Sequence, residues 1–399
     1  DVGVTETTIK IGSIVAENGV LGDAFAPAAR GLRAWVEYIN ANGGIAGRTL
    51  ELVTCDDRED RARSLECARQ LVEQDQVFAL LAVNSRAIGG AAEYLQEQGI
   101  PVLGFPITAS FWRFSHFWSI YPEGYARDNQ TAGYNGNLVN QTGFYRWFRE
   151  NMNLSKAAVF AYDIAESAQA ADFIVTGLEL EGFEVTRYNV SFAAPSFDQA
   201  VADMQRNGVD LIVDSMDDGA NRRLCDAMAR RNFSVPAKLS TVVAFGDSIG
   251  TDFNETCRNA YFISGNSRNY SDTSVPIIAE FNEAMERYQP GVELHQWALE
   301  AWAQGIMLRD YLTAAGPAPT RAGFEEFLAN LDDFTADGIM KGDQVDYQQR
   351  DYDSPTRRHC FGLARWQDST GGWVEAAGTF PFCYDDAKQY LTPLRETGT

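Results

Sequence analysis

The fold is decided by two stretches, IKIG at Ile9–Gly12 and INANGGIAGR at Ile39–Arg48. The first predicts a strand, and the second contains Gly43 and Gly44, paired glycines of the kind that end helices in a left-handed conformation. Between them, apolar residues recur at the i, i+3, i+4 and i+7 positions of one helix face. These residues are Leu32, Trp35, Val36 and Ile39. The sequence therefore predicts a strand, a loop, a helix and a helix stop, followed by a second strand at Leu50–Thr54.

The same alternation of strands and helices continues along the chain and predicts the fold class. In the first half, strands are predicted at 8–16, 49–54, 77–83 and 100–104, and helices at 24–42, 61–75 and 87–98. A second series starts at Lys156 and includes strands at 210–214 and 238–243. Repeated alternation of this kind predicts an α/β fold with two doubly wound parallel sheets. Short strands are predicted in the tail, around Cys360–Arg365.

Length, composition and charge limit the classes of protein to consider. A chain of 399 residues with 45% hydrophobic residues suggests two well-packed domains. No apolar run approaches the ~20 residues that a membrane-spanning helix needs. The chain carries 33 basic and 55 acidic residues, a net charge of -22. Because such a surface repels phosphates, we expect neither nucleic acid nor anionic membrane as a partner.

Six cysteines fall into three couples that are local in the sequence. The couples are Cys55 with Cys67, Cys225 with Cys257, and Cys360 with Cys383. An even number of local couples favours three disulfides and an oxidising compartment, with buried free thiols as the alternative. No couple has the CxxC spacing, and the chain has 3 histidines, so we expect no metal site.

The order of these features resembles the type I periplasmic binding proteins, in particular the branched-chain amino-acid-binding family of ABC transporter substrate-binding proteins. In that family a strand, a ligand loop, a helix, an Ile-Asn-x-x-Gly-Gly-Ile-x-Gly turn and a strand lead to an acidic turn, here Cys55–Asp57. The resemblance implies two discontinuous lobes joined by three crossovers, with the ligand cleft between them. Lobe 1 would comprise 1–121 and 266–345, and lobe 2 would comprise 122–265 and 346–399.

The resemblance also implies ligand-binding residues in lobe 1. Ser85 matches the family serine that binds the ligand carboxylate, and Asn84 precedes it in the same loop. Thr108 falls on the family threonine that shares the carboxylate, with Ala109 beside it. Leu21 stands where the family often has a tyrosine, which indicates an altered ligand shape. The alternative for these hydroxyls is that they cap the turns that follow them.

Further positions depart from the family pattern. Glu166 and Asp217 occupy family tyrosine positions, and a valine stands near the family glutamate that accepts an ammonium group. Either acid is a candidate replacement, and the alternative is a helix-start acid without a ligand. Tyr162 begins the stretch that contains Glu166, and Phe245 lies in the loop after the strand predicted at 238–243; both are further candidates for ligand binding. Trp297 matches a pocket aromatic, although a helical tryptophan is often a core residue.

The sequence therefore predicts an extracytoplasmic solute-binding protein, in the periplasm or on the outer face of the cytoplasmic membrane, with a lipid anchor on the precursor left open. It would be a monomer that binds a small carboxylate-bearing ligand, an amino acid or a related acid or amide, and delivers it to an ABC-type permease. No cofactor is expected. Nucleophile-elbow, P-loop and dinucleotide fingerprints are missing from the sequence, so no enzyme is predicted. The alternative is a ligand-sensing ectodomain or regulator with the same fold.

Overall fold

The computed structural model describes residues 1–121, 129–331, 333–342 and 352–394, apart from the side chain of Glu166. Within it the chain separates into two compact units. The first unit is Asp1–Gly136 with Thr273–Arg350, and the second is Asn137–Asp272 with Asp351–Thr399. Of the expected crossovers, the one at 121–122 borders residues outside the described part of the chain, and the one at 345–346 lies within such residues.

The helices and strands of the two units alternate along most of the chain. Up to residue 136 they are β1 (Thr8–Val15), α1 (Gly22–Ala41), β2 (Thr49–Asp56), α2 (Arg61–Arg69), β3 (Leu80–Val83), α3 (Ala92–Glu97), β4 (Val102–Gly104), α4 (Ser110–Arg113) and β5 (Phe117–Ser119). From 137 to 272 they are β6 (Asn137–Gln141), α5 (Gly143–Met152), β7 (Lys156–Tyr162), α6 (Ala165–Leu180), β8 (Glu184–Val190), α7 (Asp198–Asn207), β9 (Leu211–Ser215), α8 (Asp218–Arg230), β10 (Ala237–Ser240), α9 (Ser248–Asp252), α10 (Glu255–Arg258) and β11 (Tyr261–Gly265). Thereafter they are α11 (Pro276–Tyr288), α12 (Gln296–Ala315), α13 (Arg321–Ala329), β12 (Thr356–Gln367), β13 (Gly372–Glu375) and β14 (Phe382–Pro393).

The first unit is built on a parallel sheet with the strand order β2-β1-β3-β4-β5. One core cluster packs Ile14, Leu80, Val83 and Val102 of its strands against α2 and α3. On α1 and α12, two glycines allow close packing of the helices. A Cβ on Gly31 would lie 2.2 Å from the Ala298 oxygen, and one on Gly305 would lie 2.3 Å from the Trp35 ring.

The second unit contains a larger sheet with the strand order β6-β14-β12-β11-β10-β9-β7-β8, and β13 pairs with β12. Its strands from β7 to β11 are parallel, as the sequence predicts. The pairings of β12 with β11, β13 and β14, and of β14 with β6, are antiparallel. This sheet is therefore mixed rather than wholly parallel.

The predicted alternation of strands and helices is correct. The structure differs from the predictions at the end of one strand and in the lengths of the strands in the tail. The helix stop is confirmed, because Gly43 and Gly44 have φ of 96° and 76° and the Gly44 N–H donates to the Ile39 oxygen at 2.9 Å. The strand predicted at 238–243 ends at Ser240, since a 3-10 helix occupies Val242–Ala244. In the tail the strands are long, 12 residues each in β12 and β14, where short ones are predicted.

The three predicted disulfides are confirmed in the structure. They join Cys55 to Cys67, Cys225 to Cys257, and Cys360 to Cys383, and no free cysteine is found among the described residues. The first links β2 to α2 in the first unit. The second links α8 to α10, and the third joins directly opposed residues of β12 and β14. Each cross-link therefore fixes two neighbouring elements within one unit.

Candidate functional site

One edge of the first sheet collects the candidate residues of the first unit. Because parallel strands end at the same edge, the loops after β1, β3 and β4 lie side by side there. Val15 forms a bridge with Asn84, and the Phe105 N–H donates to the Val83 oxygen at 2.9 Å. The sequence-predicted Leu21, Asn84, Ser85, Thr108 and Ala109 are all on these loops or directly after them.

Ser85 is buried and serves as a cap in the structure. Its Oγ accepts the Ala87 N–H at 3.0 Å at the start of the 3-10 helix Arg86–Gly90. Burial raises the pKa of the nearby Asp57 carboxyl, and the hydrogen bond that it accepts from the Glu59 N–H opposes that rise. The capping role considered for Ser85 is therefore present, and its binding role stays a prediction.

Asn84 and Thr108 carry buried polar atoms without partners. Asn84 is 0% exposed and Thr108 is 7% exposed. Neither the amide oxygen and nitrogen of Asn84 nor the Thr108 hydroxyl has a hydrogen-bond partner among the described residues. A buried polar group without a partner costs about 1–3 kcal/mol. Such groups lie at the edge of an α/β sheet where ligands bind, and they are suited to form hydrogen bonds with a ligand.

The first loop, after β1, is held by the acidic turn after β2. Asp56 accepts the Glu17 N–H at 3.0 Å and the Asn18 Nδ2 at 2.6 Å, and Glu59 accepts the Leu21 N–H at 2.6 Å. Burial acts against ionisation of Asp56, but these hydrogen bonds outweigh it and lower its pKa. Glu59 also forms an ion pair with Arg86. The position of Leu21 is thus fixed by side chains of this acidic turn. The sequence predicted the turn but not these contacts.

Trp297 lies in the core directly beneath this edge. It is 2% exposed, and its ring centroid lies 5.6 Å from that of Phe25 and 5.5 Å from that of Phe105. His295 begins α12 by accepting the Trp297 N–H at 3.1 Å. The core role considered for Trp297 is present, and its pocket role stays a prediction.

The second unit brings Tyr162 and Asp217 together at the carboxyl edge of its own sheet. Tyr162 ends β7, Asp217 follows β9, and the Tyr162 hydroxyl donates to an oxygen of Asp217. Burial and this hydrogen bond raise the pKa of Tyr162 well above its usual range. The other Asp217 oxygen accepts the Ala220 N–H at 3.1 Å and so caps α8. Both of these donors to Asp217, the Tyr162 hydroxyl and the Ala220 N–H, are neutral groups.

Phe245 and Glu166 are the other two candidate residues of the second unit. Phe245 is buried in an aromatic cluster, with its ring centroid 4.6 Å from that of Trp373 and 5.6 Å from that of Tyr270. The Trp373 Nε1 donates to the Tyr270 hydroxyl at 3.0 Å, which ties the cluster together. Phe245 is thus a core residue of its unit, and its contact with a ligand stays a prediction. The side chain of Glu166 lies outside the described part of the structure.

Sequence reasoning missed a charged network beneath the second edge. Lys238 and Asp214 are fully buried and form an ion pair. Burial lowers the pKa of Lys238, and the charge of Asp214 acts in the opposite direction. The signal available in the sequence was a charged residue next to apolar strand residues, Asp214 after Val213 and Lys238 before Leu239, where charge is rare unless it is paired.

The described residues contain neither a group of three or more His, Cys, Asp or Glu side chains arranged to hold a metal ion, nor a helix long and apolar enough to cross a membrane. The chain offers hydrogen-bonding groups and charge at two sheet edges instead.

Comparisons with known proteins give the family. The sequence profile of the family described as periplasmic binding protein matches residues 8–372. A comparison with curated protein sequences finds no match. Among solved structures, the fatty acid ABC transporter substrate-binding protein from Thermomonospora curvata has a TM-score of 0.72 at 17% identity, covering 96% of this chain and 93% of that chain.

Two further solved structures are similar over nearly their whole length. The branched-chain amino acid transporter substrate binding protein from Streptococcus pneumoniae, in complex with isoleucine, has a TM-score of 0.69 at 16% identity, covering 96% and 100% of the two chains. A solute binding protein of an ABC transporter from Rhodopseudomonas palustris, in complex with 3,4-dihydroxybenzoic acid, has a TM-score of 0.69 at 13% identity, covering 96% and 98%. At these identities the likeness establishes a shared fold.

Proposed function

This chain belongs to the periplasmic binding protein family, and we propose that it is an extracytoplasmic solute-binding protein of an ABC importer. The two compact units would be its lobes, and the ligand would bind in a cleft between them. Hinge closure would then bury the ligand and present one shape to the permease. The family match over most of the chain supports this role, and so does the placement of candidate residues at a sheet edge in each unit.

The ligand proposed for this site is a small molecule that carries a carboxylate, an amino acid or a related acid or amide. The observation that carries the proposal is the set of partnerless polar atoms on Asn84 and Thr108. A hydroxyl and an amide N–H₂ are donors, and donors to a charged carboxylate make stronger hydrogen bonds than neutral pairs. Ser85 and the backbone at Ala109 would complete the cradle in lobe 1.

Lobe 2 would contribute charge and apolar surface. The donors to the Asp217 carboxylate are the neutral Tyr162 hydroxyl and Ala220 N–H, and a ligand ammonium would be a charged donor to the same acceptor. Tyr162 would orient that carboxylate through its hydroxyl hydrogen bond. Glu166 is the second proposed acid, and Phe245 and Trp297 are the proposed apolar walls. A ligand with a carboxylate at one end and a cation at the other would use both lobes.

The test is isothermal titration calorimetry with L-isoleucine, octanoate and 3,4-dihydroxybenzoate as probes, on wild type, Thr108→Val and Thr392→Val. Thr392 is a matched control, because it is also 7% exposed with a partnerless hydroxyl but lies on β14. We expect at least one probe to bind, with the Kd raised about ten-fold or more in Thr108→Val and unchanged in Thr392→Val. Equal effects in both variants, or no binding of any carboxylate, would contradict the proposal.

A further inference from the structure

The buried network of the second unit joins four elements through side chains. The Nζ of Lys238 pairs with Asp214 and donates to Asn221 Oδ1 at 2.5 Å and to the Tyr261 hydroxyl at 3.1 Å. The Ser240 hydroxyl donates to Asp214 Oδ1 at 2.9 Å. These residues lie on β9, β10, β11 and α8, and both members of the ion pair are 0% exposed.

Stability alone is a poor explanation for this network. A buried ion pair loses the hydration of both charges, and well-packed apolar residues in its place are often neutral or stabilising. The strands involved are already joined by backbone pairing, with Lys238 opposite Ile212 and Leu239 opposite Val213. The neighbouring core residues Leu211, Val213 and Leu239 are apolar. A role in holding one specific local backbone conformation therefore explains the network better than stability does.

That conformation is the turn that carries Asp217. Asp214 Oδ1 accepts the Met216 N–H at 3.2 Å, and the Asn221 Nδ2 donates to the Met216 oxygen at 3.1 Å. Both backbone polar groups of Met216 are thus taken by members of the network. Met216 directly precedes Asp217 in the chain. The hydrogen bonds from Asp214 and Asn221 to Met216 therefore fix the direction of the backbone at Asp217.

The other side of the turn is fixed by Ser167. Its hydroxyl donates to the Ser215 oxygen at 2.9 Å and accepts the Tyr162 N–H at 2.8 Å. Tyr162 in turn donates its own hydroxyl proton to Asp217. The turn is held from two sides, and the Tyr162–Asp217 pair is the point at which the two sets of hydrogen bonds meet.

We infer that the Lys238–Asp214 network is a positioning device that fixes the direction in which Asp217 and Tyr162 face the ligand. The inference rests on the proposed function, since it treats this edge as part of a binding site. Lys238 lies beneath the site and acts through Asp214 and Met216. Its Nζ pairs with Asp214, whose Oδ1 accepts hydrogen bonds from Met216, Asn221 and Ser240 together.

The decisive experiment needs no ligand. Amide hydrogen exchange is followed by mass spectrometry in wild type, Lys238→Met, Ser240→Ala and Leu178→Ala. Leu178 is a buried core residue in the last turn of α6 that belongs to the hydrophobic core of the unit and takes no part in the hydrogen-bonded network, and its truncation controls for general destabilisation. We expect exchange in the segment 215–221 to accelerate about ten-fold or more in Lys238→Met, and less in Ser240→Ala, relative to β7 and β8. In Leu178→Ala the segment is expected to change no more than the rest of the unit.

The result that would overturn the inference is an unchanged rate at 215–221 in both network variants, or an equal acceleration in Leu178→Ala. If Lys238→Met fails to fold, Ser240→Ala decides, since it removes one hydrogen bond and no charge. Calorimetry with whichever of L-isoleucine, octanoate and 3,4-dihydroxybenzoate binds wild type adds a second readout. The Kd is expected to rise about ten-fold in Lys238→Met and to stay constant in Leu178→Ala, and an unchanged Kd in Lys238→Met would contradict the inference. Failure of all probes would count against the proposed carboxylate ligand, while the exchange data would still decide the positioning role.

Discussion

Ser85 shows how one hydroxyl serves structure and a proposed function at once. Its Oγ caps the helix Arg86–Gly90, and loss of such a cap costs about 0.5–2 kcal/mol. Thr320 is a matched control, because its hydroxyl caps α13 by accepting the Gly323 N–H at 3.0 Å. We expect Ser85→Ala and Thr320→Ala to lower the free energy of unfolding by similar amounts in chemical denaturation. Only Ser85→Ala should weaken carboxylate binding, and an unchanged Kd would leave Ser85 as a cap alone.

Glu375 gives the second unit a pH dependence near neutrality. Burial raises the pKa of its carboxyl to about 7, although the Leu363 and Ala377 N–H groups donate to it at 3.1 and 3.2 Å and oppose the rise. Because the folded-state pKa lies above the unfolded value of 4.5, the stability it contributes is present below pH 4.5 and lost as the pH rises through about 7.

The expected result is a difference between two pH profiles. Between pH 5 and 8 the free energy of unfolding of wild type should fall relative to Glu375→Gln by about 2–3 kcal/mol, since one pKa unit corresponds to about 1.4 kcal/mol. The glutamine keeps the acceptor oxygen and the shape but cannot titrate. Denaturant titrations at several pH values measure the difference, and parallel profiles would contradict the assignment to Glu375.

At the scale of elements, β3 contains a bulge that brings its end to the candidate site. Ala82 has a φ of 51°, its N–H donates to Gln304 Oε1 at 2.9 Å, and the pairing with β4 shifts register between Leu80 and Val83. Bulges of this kind turn a strand and redirect the side chains that follow. Here the residues that follow are Asn84 and Ser85.

The bulge makes a prediction about two alanines. Ala82 and Ala158 are both buried in strands, but only Ala82 has a positive φ. The left-handed conformation costs an L-residue about 1–2 kcal/mol, whereas glycine adopts it freely. Ala82→Gly should therefore be at least about 1 kcal/mol less destabilising than Ala158→Gly in denaturant titrations. Equal losses would show that the backbone at Ala82 relaxes without cost.

The alternation of strands and helices could be predicted from sequence because periodicity and glycine stops are local signals. The bulge could not, because the side chain that accepts the Ala82 N–H there is Gln304, more than two hundred residues away in the chain. The length of β14 could not be predicted for a similar reason, since its pairing with β6 joins segments that are distant in sequence. Among candidate site residues, the chain positions at the sheet edges followed from strand order. Burial of Phe245 and Trp297 depends on ring contacts that no spacing rule encodes.

At the scale of the whole molecule, the predicted type I periplasmic binding protein fold is confirmed. The disulfides provide a test of how the length of the closed loop affects stability. Cys225–Cys257 closes a loop with a sequence separation of 32, and Cys55–Cys67 one of 12. In the chain-entropy treatment the longer loop stabilises more, by about 0.9 kcal/mol.

Pairwise replacement by alanine tests this difference. The Cys225→Ala/Cys257→Ala variant should unfold at lower denaturant concentration than the Cys55→Ala/Cys67→Ala variant, because its unfolded chain regains more freedom. Cys67, Cys225 and Cys257 are buried and Cys55 is half-buried, so both variants lose core packing as well as a cross-link. The reverse order would show that local packing, and not loop length, dominates the contribution of each bridge.

The position of β14 determines when the second unit can be completed during synthesis. β14 lies between β12 and β6, with Leu391 opposite Val139, yet it follows β6 by roughly 240 residues. At about 5–20 residues per second, β6 waits on the order of 10–50 s for its neighbour to leave the ribosome. The sheet of the second unit therefore stays incomplete until nearly the whole chain has been synthesised.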